Sequence, residues 1–470
     1  MIVKIFLLLI SISFLTVSVT CQLRLFRIAN TADKFLACFV LGAANLVFTT
    51  LVLSELYAIS ATGYLLIELL IAALSIFALR KLSPAIAPEV PSSPPAAGLA
   101  SPWKDTEKVV LTGLSAAIIL TALASLFLVF FVPPNNYDSM TNYMVRVGYW
   151  LQQGSLRHYD TQNVMQLFMA PNAGVFILWT VAFLKSDILA NLFQWISYCT
   201  IGVAIYRVSK LLGGSARASL FASLIYLSLK MVVLQSTSTQ HDLVLTAFTL
   251  ISFYFFHSGI KEKNRSFLFI SAIACGLALG TKGTIFYMLP PLTLATIVVA
   301  FIYRPSLLLY LRWLTLSVVF FLLLGSYNYI LNYMDYGNLF APKGAIDSVH
   351  KDLSLDKAKV NMARYVYDSI EFNGLPMSSV KRLERLKESL GRRYLSDSFM
   401  ASETSTHYFK FNFMVNDQKH EDVGWFGFLG FFFYLPLCLW VFISAFYRKR
   451  FRERLIYVFI FAGFFVLMSF

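Results

Sequence analysis

The sequence predicts an all-α polytopic membrane protein, and three observations carry that prediction. Hydrophobic residues fill 58% of the 470 positions, charged residues fill only 14%, and the apolar residues gather in long runs. Soluble chains carry about 25% charged residues, so apolar surface on this scale needs lipid as its solvent. A run of about 20 apolar residues crosses the roughly 30 Å hydrocarbon core as a helix. The aromatic share of 16% suits lipid-facing helices with rings at the interfaces.

In chain order the runs predict about twelve transmembrane helices, near 3–20, 35–57, 61–79, 109–132, 187–206, 217–235, 241–257, 266–280, 284–303, 313–334, 423–446 and 455–470. The first run has only Lys4 ahead of it and no small-x-small cleavage site, so it reads as a span rather than a signal peptide. The last ends at Phe470 with no polar tail, so the chain either stops inside its last helix or continues in a longer protein. Between the third and fourth runs lies SPAIAPEVPSSPPAAGLASP, a composition that builds no core and reads as a flexible linker. The expected organisation is therefore an accessory three-helix unit at 1–82, a cytoplasmic linker at 83–103, a principal membrane module at 104–334, a cap at 335–422 and carboxy-terminal helices at 423–470. The cap contains SSVKRLERLKESLGRRYL, with Leu383, Leu386 and Leu390 at helical spacing.

Orientation follows from Lys and Arg, which favour cytoplasmic loops. They collect at Arg24, Arg27 and Lys34, at Arg80, Lys81, Lys104 and Lys108, at Arg207, Lys210 and Arg217, at Lys261, Lys263 and Arg265, at Arg304 and Arg312, and from Arg448 to Arg454. These clusters agree on one side only if the apolar stretch from Pro171 to Leu184 does not cross, which its length of about 14 residues favours; a re-entrant or interfacial helix is expected there. The amino terminus and the segments 133–186, 236–242, 281–283 and 335–422 then face outward. The net charge of +14 is spread over these clusters beside anionic lipid, which argues against nucleic acid as a partner. The five cysteines show no CxxC or Cys/His spacing, so neither a disulfide framework nor a structural zinc site is indicated.

Three polar constellations fall on the outward face. In PPNNYDSMTNYMVRVGYWLQQGSLRHYDTQN, Asp138 stands just outside the bilayer. Met140, Tyr143, Met144, Val147 and Trp150 follow near one side of an amphipathic helix expected on the membrane surface. Asp138 reads either as a helix cap or as a functional carboxylate, and Arg146 as a solvated charge or a ligand-binding one. In QSTSTQHDLV, Asp242 stands a residue or two from hydrocarbon, a costly place for an ion without a partner or a wet cavity. In GLALGTKGTIFYMLPP, Lys282 sits between Gly280 and Gly283. The glycines permit positive backbone dihedrals and close approach of a ligand, so the turn reads as an anion cradle, with a snorkelling lysine as the alternative. Lys230 is read as a snorkelling lysine.

The segments YDSMTNYMVRVGYWLQQGSLRHY, LQSTSTQHDLV, GLALGTKGT and HEDVGWFGFLGF resemble blocks of GT-C glycosyltransferases, in particular family 39-like bacterial enzymes related to protein O-mannosyltransferases and to the aminoarabinose transferase acting on lipid A. The likeness spans 133–430. His241 stands where such members are expected to have Asn, and the three leading helices lie outside the pattern. The resemblance implies a GT-C fold in the inner (cytoplasmic) membrane. It also implies a monosaccharide donor on a polyprenyl or dolichyl phosphate and an extracytoplasmic glycan, lipid or protein acceptor. It makes 104–334 the catalytic module, assigns catalysis to Asp138 and Asp242, and assigns substrate binding to Arg146, Lys282, His241, Glu421 and Asp422. In that scheme Asp138 is the base of a single, inverting displacement and Lys282 with Arg146 stabilises the leaving phosphate. A divalent cation stays open, two carboxylates without a third ligand being a weak metal signal. A lipid-linked glycan ligase or polymerase remains the alternative enzyme. A transporter would need related halves and mid-membrane charges, which this chain does not display, and a membrane scaffold is the non-enzymatic alternative.

Overall fold

The computed structural model describes residues 2–82, 105–345, 354–372, 375–395, 435–447 and 452–469, and among these described residues the architecture is all-helical as predicted. In chain order the helices are α1 (Ile2–Phe26), α2 (Thr31–Glu55), α3 (Ala61–Leu82), α4 (Asp105–Phe131), α5 (Met144–Gln153), α6 (Met165–Phe168), α7 (Asn172–Leu184), α8 (Leu192–Leu211), α9 (Ala216–Leu227) and α10 (Lys230–Gln235). There follow α11 (Asp242–Glu262), α12 (Arg265–Leu279), α13 (Ile285–Tyr303), α14 (Leu307–Leu324), α15 (Tyr327–Tyr336), α16 (Leu355–Ser369), α17 (Met377–Tyr394), α18 (Leu435–Tyr447) and α19 (Arg452–Met468). The basic amphipathic stretch of the cap is helix α17, as its spacing predicts. The linker 83–103 lies outside the described residues, apart from which α4 begins at Asp105.

Among the described residues seven helices are long and apolar enough to cross a membrane: α1, α2, α3, α4, α11, α13 and α14. The count of about twelve is not reached by that measure, for local reasons. The run 217–235 breaks at Ser228 and Leu229 into α9 and α10, where Lys230 donates to Glu371 at 2.6 Å; this lysine is paired rather than snorkelling. The run 313–334 breaks at Gly325 and Ser326 into α14 and α15. The stretch from Pro171 forms α7, whose 13 residues reach about 20 Å and cannot cross alone. It is not interfacial, however: Val175, Leu178 and Ala182 are fully buried in the bundle.

The bundle is organised around α11, which is apolar all round and buried on nearly every side, as a central helix must be. Apolar side chains alone do not choose between a neighbouring helix and lipid tails, so small residues and polar pairs set which helices meet. Ser252 of α11 and Ser271 of α12 exchange hydroxyl-to-carbonyl hydrogen bonds at 2.9 and 2.7 Å, and Trp313 Nε1 of α14 donates to Ser271 Oγ at 3.1 Å. Gly276 of α12 lies so near α14 that a Cβ there would meet the Phe320 carbonyl oxygen at 2.5 Å. Pro290 and Pro291 interrupt the hydrogen-bond ladder of α13. Beside them α11, α12, α13 and α14 bound an apolar cleft lined by Phe253, Leu279, Ile285, Leu289, Leu292 and Trp313 among others.

The three leading helices pack into the same core as α7, α11 and α12. Asn30 caps α2 by accepting from the Ala32 and Asp33 amides at 2.9 and 3.2 Å. Asp33, 1% exposed, then takes Arg207 Nε and Nη2 at 2.7 and 2.8 Å and the Tyr254 hydroxyl at 2.7 Å, tying α2 to α8 and α11. Arg207 was expected among loop charges; it lies within α8.

Candidate functional site at one end of the bundle

The first and second constellations meet through Ser139 and Thr239, whose hydroxyls lie 2.5 Å apart. A π-helical turn, Ser139–Tyr143, leads into α5, and its start is capped by Asn136: Asn136 Oδ1 accepts the Ser139 amide at 2.7 Å. Asp138 makes no capping hydrogen bond there, so the capping role expected as its alternative falls to Asn136. Its Oδ1 accepts from Asn142 Nδ2 at 3.3 Å. The amphipathic helix is present, but its apolar face is turned into the protein: Tyr143, Val147 and Trp150 are buried, and Trp150 lies against Gly174 of α7.

Lys282 brings in the third constellation. Its ammonium donates to both oxygens of Asp242 at 2.8 Å, with the two side chains 27% and 31% exposed. The lysine therefore neither snorkels nor stands alone. Burial opposes its charge, but the Asp242 carboxylate, with Tyr143 and then Asp138, outweighs that and holds the ammonium above its ordinary range. The Tyr143 phenol is pushed up, first by burial. Lys282 pulls it the other way, and the carboxylates of Asp242 and Asp138 add to the rise. Asp138, Tyr143, Asp242 and Lys282 thus share one electrostatic environment.

The glycines around Lys282 serve packing. Gly280 has φ −90°, and Gly283 is not among the glycines with positive φ, so the expected left-handed turn is not formed. Gly280 instead lies against the Asn172 side chain and Gly325. Asn172 accounts for the closeness: its amide donates to the Gly280 carbonyl at 2.9 Å, and its Nδ2 donates to the carbonyls of Leu277 at 3.1 Å and Leu324 at 2.9 Å. The Tyr329 hydroxyl donates to the Leu279 carbonyl at 2.6 Å. The lysine turn is therefore held from α7, α14 and α15.

Arg146 is 1% exposed, which excludes the solvated charge of the sequence reading. Its Nη2 donates to the Met169 carbonyl at 2.6 Å and its guanidinium lies 4.5 Å from the Trp150 ring centre, while Nε and Nη1 have no partner. Burial pulls its pKa down to about 10, so it is still a cation at neutral pH. His241 is buried, with its ring 4.1 Å from that of Tyr143 and its Nε2 unpartnered. Burial first, then the charges of Arg146 and Lys282, hold its pKa well below the usual histidine range. Gln194 of α8 adds another unpartnered donor: its Oε1 accepts the Val244 amide at 3.3 Å and its Nε2 has none. Glu421 and Asp422 lie outside the described residues. Among the described residues no group of three His, Cys, Asp or Glu gathers as metal ligands would.

Sequence reading missed several contributors. The sequence pattern places Tyr143 on an apolar face, and Gln194, Asn172 and Thr239 have no local signature. His158 and Asp335 form a further pair at this end, Nδ1 to Oδ2 2.6 Å, between the segment after α5 and the end of α15. Burial lowers the His158 pKa although Asp335 pulls it up.

The family model for dolichyl-phosphate-mannose-protein mannosyltransferases matches residues 170–328. The match supports a GT-C superfamily glycosyltransferase. It covers α7 to the first residues of α15, and so includes His241, Asp242 and Lys282 while Asp138, Arg146 and the three leading helices precede it. Neither the comparison with curated proteins nor that with solved structures finds a match. A membrane glycosyltransferase acting on a polyprenyl-phosphate sugar suits the chemistry of this end, where Lys282 pairs with Asp242 at 2.8 Å and Leu279 and Ile285, on either side of the lysine turn, line an apolar cleft.

Proposed function

We propose that the chain transfers a monosaccharide from a polyprenyl-phosphate carrier to an extracytoplasmic glycan, lipid or protein acceptor, with inversion. The observation that carries this reading is the convergence, from three separate segments, of Asp138, the Asp242–Lys282 pair and the partly unpartnered Arg146. Asp138, relieved of capping, removes the acceptor proton as the nucleophile attacks the anomeric carbon. The leaving group is a phosphate, which needs positive charge rather than a proton, and Lys282 and Arg146 supply it. Asp242 fixes the ammonium of Lys282 and orients the sugar, and His241 presents a neutral ring beside it. Leu279 and Ile285 flank the lysine turn and also line the cleft between α11 and α14, so a phosphate at Lys282 would lead its apolar chain directly into that cleft. Any of Glu421 and Asp422's expected contribution to substrate binding remains part of this proposal. The end bearing these residues faces outward, and the membrane is the cytoplasmic one.

The test uses the purified full chain in lipid with a polyprenyl-phosphate monosaccharide, following release of polyprenyl phosphate. Envelope glycans and lipid-linked sugars of intact cells with and without the protein are compared in parallel. The expected result is release in vitro and, in cells lacking the protein, accumulation of one lipid-linked sugar with loss of its glycan product. An unchanged lipid-linked sugar pool and glycan profile would overturn the reading.

A further inference from the structure

The juxtamembrane helix α5, which carries Arg146, is held by residues far from it in sequence. At its end Gly154 adopts φ +70° and its carbonyl accepts the Ile59 amide at 3.0 Å, from the turn between α2 and α3. A Cβ at Gly154 would meet the Tyr57 carbonyl oxygen at 2.7 Å, so the two backbones are in contact there. Ser54, fully buried, accepts the Leu156 amide at 2.7 Å and lies 3.0 Å from the Ser155 hydroxyl and 2.7 Å from that of Tyr327. Outside this, Arg157 donates to Glu55 at 2.9 Å.

The other end of α2 is fixed as well, by Asp33 to Arg207 and Tyr254. From Asp33 to Ser54 the helix rises about 31 Å, close to the hydrocarbon thickness. Each anchorage centres on a buried, hydrogen-bonded side chain, Asp33 at one end and Ser54 at the other, and parting the buried Asp33 from its counter-ion would be costly. We infer that α2 is a brace: it transmits the position of the α8–α11 core across the membrane to the end of α5, and Ser54, Gly154 and the 57–59 turn are positioning residues for Arg146. The inference rests on the transfer reaction proposed above for its activity readout, but not for its structural one. It gives the three leading helices, which precede the family match, a role in the site.

The experiment compares Ser54→Ala, which removes three hydrogen-bond partners without adding volume, and Gly154→Ala, which forces the backbones apart, with the parent chain in lipid nanodiscs. Amide exchange is followed across 144–157, together with transfer kinetics and melting temperature. Loss of the brace is expected to speed exchange throughout 144–157 and to lower turnover about 10- to 10²-fold with little change in donor KM, since a displacement near 1 Å suffices for such losses. Ser54→Thr, which keeps the hydroxyl, is expected to restore both. Unchanged exchange across 144–157 in Ser54→Ala overturns the brace, as does faster exchange with full turnover. Should Gly154→Ala fail to fold, Ser54→Ala decides alone. Asp138→Asn in the same series separates the two ideas: full transfer there defeats the base assignment, while the exchange data still judge the brace.

Discussion

An arginine stands at each end of the bundle, Arg207 partly exposed and Arg146 buried, and the two are treated differently. At one end Arg207 gives Nε and Nη2 to the two oxygens of the buried Asp33, and Tyr254 adds a third hydrogen bond to that carboxylate. At the other, Arg146 gives a single hydrogen bond to a backbone carbonyl and leaves Nε and Nη1 without partners, and His241 Nε2 and Gln194 Nε2 are unpartnered as well. Buried polar groups are nearly always satisfied, and each exception in a native structure needs a reason. A buried carboxylate held by three hydrogen bonds is a structural joint, and a buried cation with unused donors and no counter-ion is a place prepared for something else. The Asp242–Lys282 pair is no such joint, since both side chains keep about a third of their surface open.

The comparison can be broken most sharply by removing each arginine in turn. Arg207→Met leaves Asp33 buried without its counter-ion and is expected to cost about 3–5 kcal/mol of stability. Arg146→Met deletes a buried charge that has no counter-ion, so melting temperature is expected to hold or rise while turnover falls about 10²–10³-fold. Thermal unfolding and transfer assays on the two proteins check both halves; equal destabilisation by the two substitutions would erase the distinction.

Why one end could be read from sequence and the other could not is a matter of distance along the chain. Asp138, Asp242 and Lys282 were legible because an ion next to hydrocarbon is conspicuous in a sequence this apolar. Which charge pairs with which was not legible. Arg207 lies 174 residues from Asp33 and was counted among loop charges, and the Lys282–Asp242 pair spans 40 residues. Gly280 and Gly283 suggested a ligand cradle, whereas the neighbour that requires Gly280 to lack a side chain is Asn172, known only once α7 is placed. The helical class followed from composition, as did α17 from its leucine spacing. The breaks at Ser228 and Gly325 did not, because each depends on a tertiary partner: Glu371 for Lys230, and Gly276 for Gly325.

Protonation offers a milder way to sharpen the contrast. His241 is held neutral in the folded protein, with its pKa depressed below an unfolded value of about 6.5. Its contribution to stability is therefore intact above pH 6.5 and is lost as pH falls through and below that value, by at most about 1.4 kcal/mol per pH unit. His241→Asn is expected to flatten the fall in melting temperature between pH 7 and pH 5; an unaltered slope would show that the ring titrates freely. The smallest effect concerns the open ion pair. A cycle of Lys282→Met, Asp242→Asn and their combination is expected to give a coupling near 1 kcal/mol in stability, modest because of exposure, and a coupling of several kcal/mol would make this pair a joint like that of Asp33.

The central claim, that the unsaturated end performs chemistry, is tested most directly on Asp138. Asn resembles Asp in shape and in capping strength but cannot take a proton, so Asp138→Asn and the parent should be purified together and their melting temperatures and transfer from a polyprenyl-phosphate sugar measured side by side. The account predicts matching melting temperatures and a loss of about 10²–10⁴-fold in turnover. Matching melting temperatures with full transfer would contradict it.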